Sequence, residues 1–230
     1  SKLGAEPPQI ATAAALATPA RIEQPAFDRS AYSSLHDLAS LQAWISKIRQ
    51  RGYVAIDTET TSLDEMRAEL VGISLAVEPG EACYIPISHK DGNNDDLFGS
   101  SKLATGQMQI DQVIELLQPI LEDPAILKIG QNMKYDAKIF ERQGIRMAPI
   151  DDTMLLSYAL HAGLHNHGMD SLSQRYLDHT PIPIKQLLGS GKSAVTFDLV
   201  PIEEATPYAA EDADITLRLW QLLKPKLHLQ

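Results

Sequence analysis

Four carboxylates and one tyrosine, carried by three short acidic motifs, are the side chains of this chain best suited to chemistry. The first motif holds Asp57 and Glu59, the second ends at Asp136, and the third holds Tyr208 and Asp212. Carboxylates held close together repel one another unless cations neutralise them, and hard oxygen ligands suit Mg²⁺ or Mn²⁺. Two such ions about 3.5–4 Å apart can activate water and stabilise the leaving oxygen of an in-line displacement. The set therefore predicts metal-assisted hydrolysis of a nucleic-acid backbone.

Spacing within the motifs indicates how these side chains could meet. Asp57 and Glu59 are two residues apart at the end of an apolar strand, where positions i and i+2 point to the same face. Tyr208 and Asp212 are four apart, which places them on one face of a helix. Each pair also has a simpler interpretation: two surface acids that follow a strand, or a half-buried tyrosine on a solvated acidic helix.

The remaining acids are more ambiguous when taken singly. Asp136 follows a buried strand and opens a helix, so it could cap that helix through the dipole alone. We assign Glu211 and Asp214 to the solvated face of the last helix rather than to a site. The combination of motifs is more specific than any one of them.

Apolar periodicity predicts the elements that carry the motifs. The predicted strands cover 53–56, 70–77, 82–87 and 126–130. The predicted helices cover 37–50, 109–121, 135–143, 153–160 and 206–223, the last capped by Thr206 with Pro207 in its first turn. Strands first, followed by alternating helices and strands, predict an α/β domain with a mixed sheet.

Composition divides the chain into a tail and one domain. Residues 1–27 hold four of the 14 prolines and an alanine-rich run, which is typical of a flexible linker or tail; residues 28–230 form the predicted domain. Residues 89–106 are polar and predict a long loop.

A single cysteine, Cys83, excludes an internal disulfide framework and fits a reducing compartment. We find neither a secretory signal nor a segment long enough to span a bilayer.

Net charge limits the ways in which the protein could bind nucleic acid. The formal charge of -10 argues against a broad electrostatic grip on duplex DNA. It does not exclude a nucleic-acid enzyme, because bound metals would supply positive charge locally. We expect few phosphate contacts and a strong dependence on metal.

Motifs that run from about Leu38 to the C-terminus resemble the proofreading 3′–5′ exonuclease domain of bacterial DNA polymerase I, in the DEDD superfamily with a catalytic tyrosine. The matching segments are Asp57-Thr58-Glu59-Thr60, Val71-Gly72-Ile73-Ser74, Tyr84-Ile85-Pro86, Gly130-Gln131-Asn132-Met133-Lys134-Tyr135-Asp136, Asp152-Thr153-Met154-Leu155, Met169-Asp170-Ser171-Leu172, Thr196-Phe197 and Tyr208-Ala209-Ala210-Glu211-Asp212. The resemblance implies a ribonuclease H-like fold, with a mixed five-stranded sheet flanked by helices.

The resemblance also implies roles for the metal-site residues. Asp57, Glu59 and Asp212 would hold the first metal, which is Mg²⁺, Mn²⁺ or Zn²⁺. Asp57 and Asp136 would hold the second, with Asp136 reaching it directly or through water. Tyr208 and Glu59 would orient the attacking water.

Five further residues would bind the DNA 3′ end. Leu63 and Phe197 would meet the terminal base and sugar, and Gln131, Asn132 and Tyr135 would hold the strand end. The implied partners are single-stranded DNA and a polymerase domain in the same parent chain, with the protein a monomer in the bacterial cytoplasm, associated with the nucleoid. Because the chain starts at Ser1, we expect an excised domain rather than a naturally short protein.

Two other functions compete with a DNA exonuclease. One is a non-catalytic module that binds DNA ends or has a structural role, and it predicts no metal-dependent turnover. The other is an exoribonuclease of the ribonuclease D type, which shares the acidic set. The Asn-x-Lys-Tyr-Asp context favours the polymerase type.

Two weaker signals are discounted. The segment Gly189–Ser193 ends like a phosphate-binding P-loop, but position 186 is Gln where that motif needs Gly, and no buried strand precedes it. His161, His165 and His167 match no standard zinc spacing and lack cysteine partners, so we interpret them as loop residues.

Overall fold

A six-stranded mixed sheet forms the centre of the computed structural model, which describes residues 24–91 and 102–229. The strands are β1 (Ser33–Ser34), β2 (Tyr53–Thr60), β3 (Leu70–Glu78), β4 (Glu81–Pro86), β5 (Leu127–Gly130) and β6 (Ile150–Asp152). Their order across the sheet is β1-β4-β3-β2-β5-β6. β2, β3 and β4 form an antiparallel meander, and β5 and β6 continue the sheet parallel to β2.

The predicted α/β class and mixed sheet are confirmed, whereas the expected five strands become six. The additional strand is β1, in which Ser33 and Ser34 pair in parallel with Cys83 and Tyr84 at the edge of the sheet. Two serines carry no apolar alternation, so sequence periodicity cannot reveal a strand this short.

Seven α-helices cover the sheet in the described part of the chain. They are α1 (Leu38–Arg51), α2 (Ile110–Leu121), α3 (Lys134–Arg142), α4 (Thr153–His161), α5 (Met169–Leu177), α6 (Ile184–Leu188) and α7 (Ile202–Leu223). Short 3₁₀ turns cover Arg29–Ala31, Gly191–Ser193, Phe197–Leu199 and Lys224–Leu229.

Residue size along β2 determines which helices lie on each face of the sheet. Val54 and Ile56 point into a core of large aliphatic side chains shared with α1, α2 and α3. Ala55, between them, points to the other face and packs with Ala210 and Ala213 of α7. Alternation along a strand continues this pattern, so positions 57 and 59 lie on the α7 face and position 58 on the α3 face. Because Ala55, Ala210 and Ala213 are small, α7 can lie close to β2, and therefore close to positions 57 and 59.

The last helix begins earlier than predicted. α7 starts at Ile202 with Pro201 as its N-cap residue, so the prediction that Thr206 caps it is wrong. The Thr206 hydroxyl instead donates to the carbonyl of Ile202, 2.7 Å away, within the helix. Pro207 removes the amide that would bond to the carbonyl of Glu203; the helix tolerates this because Glu203 lies in an exposed first turn, where water can take that role.

Residues before the predicted domain boundary at 27/28 pack against the domain. The Pro25 carbonyl accepts a hydrogen bond from Arg218, and the Phe27 ring stacks on His179 with centroids 3.6 Å apart. The rest of the predicted tail, residues 1–23, and residues 92–101 of the predicted long loop lie outside the described residues. Among the helices that are described, none is both long and apolar enough to cross a membrane.

Candidate active site

Three of the predicted carboxylates meet between β2 and α7. Asp57, Glu59 and Asp212 each offer an oxygen atom, and these atoms all lie within 4.8 Å of one another. Asp57 and Glu59 point to the same face of β2, as their spacing requires, and Asp212 approaches from α7. We call these three residues the acidic cluster.

An irregularity in the sheet lies next to the cluster. The pairing of β2 with β3 shifts its register between Glu59 and Thr60, so that Thr60 pairs with Leu70 although Glu59 pairs with Gly72. Such bulges bend a strand and re-aim its side chains, and they are common beside active sites.

Gly72 provides space beside the cluster. A Cβ atom at this position would overlap the ring of Tyr84, which is fully buried. The Tyr84 hydroxyl forms a 2.7 Å hydrogen bond with the imidazole of His89, so this ring is held in place. Gly72 pairs with Glu59 across the two strands, and because it has no Cβ the Tyr84 ring can pack directly against it.

Asp136 reaches the site from the opposite side of β2. It lies in the first turn of α3 and is almost completely buried. Its Oδ1 accepts hydrogen bonds from the Thr58 amide at 3.0 Å and the Thr58 hydroxyl at 2.6 Å. Thr58, between the two acids of β2, thereby ties the fourth carboxylate to the strand that carries Asp57 and Glu59.

The turn that introduces α3 is held by a residue that the sequence analysis did not assign to the site. Asn132 adopts a positive φ of 62°, which is uncommon for a residue other than glycine. The Asp152 carboxylate accepts hydrogen bonds from the amides of Asn132 at 3.1 Å and Met133 at 2.9 Å. It also caps α4 through the amides of Met154 and Leu155. The position of Asp152 directly before a helix signals the N-cap of α4 but not its hydrogen bonds to the turn before α3.

Tyr208 and Asp212 share one face of α7. The Tyr208 ring packs against Phe197 with centroids 6.0 Å apart. Burial raises the pKa of the Tyr208 hydroxyl, and the negative charges of Asp212, Glu59 and Asp57 raise it further. The phenol therefore keeps its proton at neutral pH and can act as a hydrogen-bonding group.

Burial raises the pKa of every carboxyl in the site, and neighbouring carboxylates inside or next to the site raise each one further. Burial is the largest cause for Asp57, whose pKa is also raised by Asp136, Glu59 and Asp212, and the pKa of Glu59 is raised in the same way. The pKa of Asp136 rises to about 7 despite its hydrogen bonds from Thr58, and that of Asp212 to about 8. Four acids in this state favour a cation, because a cation stabilises their charged forms.

One buried oxygen atom tests directly whether the cluster fits a metal. Glu59 Oε1 is buried and has no hydrogen-bond partner among the described residues. A buried acceptor without a partner is costly, and a coordinated cation would satisfy it. The donors are all carboxylate oxygens, which matches Mg²⁺ or Mn²⁺ better than a softer metal.

The residues predicted to bind DNA fall into two groups. Leu63 is 94% exposed and Asn132 is also exposed, so both are free to meet a ligand. Phe197 is buried against Tyr208. Tyr135 is half-buried, and its hydroxyl bonds to Thr60 and to the Ser62 carbonyl, which holds the turn that presents Leu63.

Gln131 has both ends of its amide engaged within the protein. Its Nε2 donates to the His167 carbonyl at 2.9 Å, and its Oε1 accepts from the Thr153 hydroxyl. In this arrangement Gln131 fixes the end of β5 against α4 and the loop that follows α4. Gln131 is also buried, so its amide is poorly placed to reach a bound strand.

The interpretation of Glu211 and Asp214 as solvated residues is wrong. Both are fully buried in α7. Glu211 pairs with Arg29 at 2.7 Å and with His179 at 2.8 Å, and Asp214 pairs with Arg218 at 2.9 Å. The partners of Glu211 come from distant parts of the chain, and Asp214 also accepts a hydrogen bond from the distant Tyr32 hydroxyl at 2.7 Å. Sequence spacing on one helix cannot show these contacts.

The discounted signals carry no catalytic arrangement. The P-loop-like segment follows helix α6 rather than a strand. Across residues 24–91 and 102–229, the acidic cluster is the only group of three or more His, Cys, Asp or Glu that could hold a metal, so the three histidines do not form one. Cys83 is buried, and burial raises the pKa of its thiol, which agrees with a structural role.

Comparison with known proteins decides the family. A family model described as 3′–5′ exonuclease matches residues 32–228. The chain belongs to the 3′–5′ exonuclease family. It is therefore a nuclease by family, and the acidic cluster lies in the part of the chain that matches.

Curated relatives of this family member are DNA polymerases. The chain is 52% identical over 210 residues to DNA polymerase I of Rhizobium leguminosarum, covering 87% of the chain and 20% of the relative. It is 42% identical over 199 residues to DNA polymerase I of Pseudomonas aeruginosa, covering 85% and 21%. The chain thus spans about a fifth of the length of these relatives.

Solved structures with the same fold include nucleases outside the polymerases. NrnC of Brucella melitensis superposes with a TM-score of 0.59 at 23% identity, covering 86% of this chain and 81% of that one. RNase D of Escherichia coli, an exoribonuclease, superposes with a TM-score of 0.61 at 18% identity, covering 86% and 45%. At these identities the likeness shows the shared fold alone.

Proposed function

We propose that this protein is a metal-dependent 3′–5′ exodeoxyribonuclease. It would hydrolyse single-stranded or frayed DNA 3′ ends to nucleoside monophosphates, as the proofreading part of a DNA polymerase I. The observation that carries the proposal is the acidic cluster, in which three carboxylates converge and Glu59 Oε1 has no hydrogen-bond partner within residues 24–91 and 102–229. Family membership and the polymerase relatives support it.

The protein's own residues divide the work of the proposed reaction. Asp57, Glu59 and Asp212 would hold one cation, and Asp57 with Asp136 a second. When bound, the two cations would supply the positive charge that makes water a better nucleophile and stabilises the leaving oxygen. The protonated Tyr208 hydroxyl, with Glu59, would orient the attacking water by hydrogen bonding.

Positioning of the strand end would come from residues around the cluster. The exposed Leu63 would contact the terminal base or sugar, with the buried Phe197 supporting Tyr208 from behind. Asn132 would bond to the strand at the turn before α3. Since Tyr135 and Gln131 are engaged with the protein, they would act mainly by holding these contact residues in place.

The proposal also includes the protein's location in the cell and its preference for DNA over RNA. We place the protein in the bacterial cytoplasm, where DNA polymerase I would act. DNA is preferred over RNA here because the curated relatives are DNA polymerases, although an exoribonuclease shares the fold.

The test is a comparison of matched DNA and RNA decamers of the same sequence, each incubated with Mg²⁺ or Mn²⁺. Chromatography of the products identifies what is released. We expect nucleoside monophosphates from DNA at a higher rate than from RNA. A higher rate on RNA would replace the proposal with an exoribonuclease, and a folded protein that releases nothing from either strand would replace it with a binding module.

A further inference from the structure

A group of five aromatic and imidazole rings lies on α4, α5 and the loop between them, outside the acidic cluster. We call it the ring surface; its members are Tyr158, His161, His165, His167 and Tyr176. The centroids of Tyr158 and His167 are 3.8 Å apart, those of His165 and His167 4.8 Å, and those of His161 and His165 5.6 Å. Tyr158 is 50% exposed, so one end of this run of rings is open to a ligand.

Hydrogen bonds hold three of the five rings in place, and Tyr158 packs against one of these three, His167. His167 is buried, and its Nδ1 lies 2.7 Å from the Ser157 hydroxyl. The Nε2 of His165 lies 3.1 Å from the Tyr176 hydroxyl. A flat ligand placed against Tyr158 or His165 would therefore meet rings that have little freedom left to lose, which favours binding.

Positive charge accompanies the rings in an otherwise acidic protein. The Lys226 ammonium lies 5.1 Å from the centroid of Tyr176. Burial lowers the pKa of His161, and the positive charges of Lys226 and Arg175 lower it further. Sequence-tolerant binding of a single strand requires rings on which bases can stack and nearby cations that can neutralise phosphates. The ring surface offers both.

The ring surface connects to the proposed catalytic site. The His167 carbonyl accepts the hydrogen bond from Gln131, whose neighbour Asn132 begins the turn before Asp136. Leu172 of α5 packs in one buried cluster with Ile215 of α7, which lies three residues after Asp212, so α5 lies against the helix that carries this part of the acidic cluster.

Two depressions mark a path along this connection. One, of about 270 Å³, is lined by Tyr158, His165 and the segment Asn166–Gly168. The other, of about 370 Å³, is lined by Asn166 and by Gly168–Ser171, which includes Asp170. Because Asn166 and Gly168 line both, the two depressions adjoin.

We propose that the ring surface binds nucleotides of the single strand that lie on the 5′ side of the scissile phosphate. Bases would stack on Tyr158 and His165, and Arg175 and Lys226 would neutralise phosphates. The inference rests on the proposed function for its direction along the strand. A duplex is disfavoured as the occupant because its base faces are already stacked.

The binding test uses fluorescence anisotropy of a labelled ten-nucleotide oligothymidylate in chelator, where metal-dependent cleavage cannot occur. Replacing Tyr158 by Ala should weaken binding about fivefold to tenfold, the scale of one lost base–ring stack. Tyr158→Phe keeps the ring and should keep the affinity. The matched control is Leu155→Ala, on the same helix and 63% exposed, which lines a separate groove of about 770 Å³.

A kinetic arm separates this inference from the proposed function. In the presence of Mg²⁺, the ratio of kcat/KM for the ten-nucleotide strand to that for a dinucleotide should fall about fivefold to tenfold in Tyr158→Ala, since only the longer strand reaches the rings. Leu155→Ala should keep the wild-type ratio. An unchanged ratio together with unchanged binding in Tyr158→Ala would overturn the ring surface while leaving the exonuclease intact.

A failure of the proposed exonuclease would give a different result from a failure of the ring surface. If the wild type binds the strand through Tyr158 but hydrolyses nothing, the proposed exonuclease fails and the ring surface stands as a binding site. Oligouridylate of equal length distinguishes DNA from RNA as the occupant. Tighter binding of oligouridylate that still depends on Tyr158 would assign the surface to RNA.

Discussion

Asp152 offers the sharpest mutational test of how the fold builds the site. Its carboxylate accepts hydrogen bonds from the amides of Asn132, Met133, Met154 and Leu155, and so joins the turn before α3 to the start of α4. Asp152→Ala removes all four acceptor contacts at once. Asp136 lies three residues after Met133, so release of this turn should displace the fourth carboxylate.

The magnitude follows from the bonds that are lost. Loss of an N-cap costs about 0.5–2 kcal/mol. Leaving the Asn132 and Met133 amides without their acceptor adds about 0.5–1.5 kcal/mol each. We expect Asp152→Ala to lower the free energy of unfolding by about 1.5–5 kcal/mol. In protein that is still folded, it should lower kcat about tenfold or more, because a 1 Å misplacement can cost about a hundredfold.

The assay combines urea unfolding with exonuclease rates measured at a temperature where each variant is folded. The matched control is Asp37→Ala, which removes the N-cap of α1, where Asp37 accepts from the Ser40 amide at 2.8 Å. α1 contributes no residue to the acidic cluster, so this variant should lose about 1 kcal/mol of stability and keep its kcat. The positioning role would be refuted if folded Asp152→Ala turned over at the wild-type rate.

Three further predictions concern the site and its support. Tyr208→Phe should lower kcat by about 10²-fold or more while metal affinity, measured by calorimetry, stays near the wild-type value, because the lost group orients water rather than binding a cation; equal kcat would contradict this role. In chelator, the free energy of unfolding should fall as pH rises from about 4 to 8, because the folded-state pKa values of the site carboxyls are raised and their stabilising contribution is lost as they ionise. Urea unfolding of wild type and Asp212→Asn at about pH 4 and pH 8 measures how much unfolding free energy each loses over this range. The variant should lose less than the wild type by at least about 1.4 kcal/mol, the equivalent of one pKa unit. An equal loss in both proteins would rule the explanation out. Gly72→Ala should lower the free energy of unfolding by about 1–3 kcal/mol, because its added Cβ would displace the buried ring of Tyr84. It should also reduce kcat, because position 72 pairs with Glu59. An unchanged urea midpoint would argue against this packing.

Local spacing was sufficient to predict the parts of the site that lie within one element. The i, i+2 relation of Asp57 and Glu59 and the i, i+4 relation of Tyr208 and Asp212 are properties of a strand and a helix, whatever packs against them. The approach of Asp212 on α7 to Asp57 and Glu59 on β2 is a contact between elements, which those relations do not contain.

Interactions between distant segments were beyond the reach of the sequence. Glu211 reads as a solvated acid on a helical wheel, but it is buried because Arg29 and His179 come from segments far along the chain. Asp152 reads as an ordinary N-cap, and its second function depends on the Asn132 turn, 20 residues away. The strand β1 is too short to show periodicity. These are tertiary effects, which residue patterns within a window do not contain.

A 5′-labelled single-stranded oligodeoxynucleotide shows whether the acidic cluster is a metal-dependent exonuclease site. Its length is followed over time with Mg²⁺ or Mn²⁺, with chelator, and with the Asp212→Ala variant. We predict a ladder that shortens from the 3′ end only with metal and only in the wild type. An intact oligonucleotide with folded wild-type protein and metal, or an equal ladder from Asp212→Ala, would contradict the account.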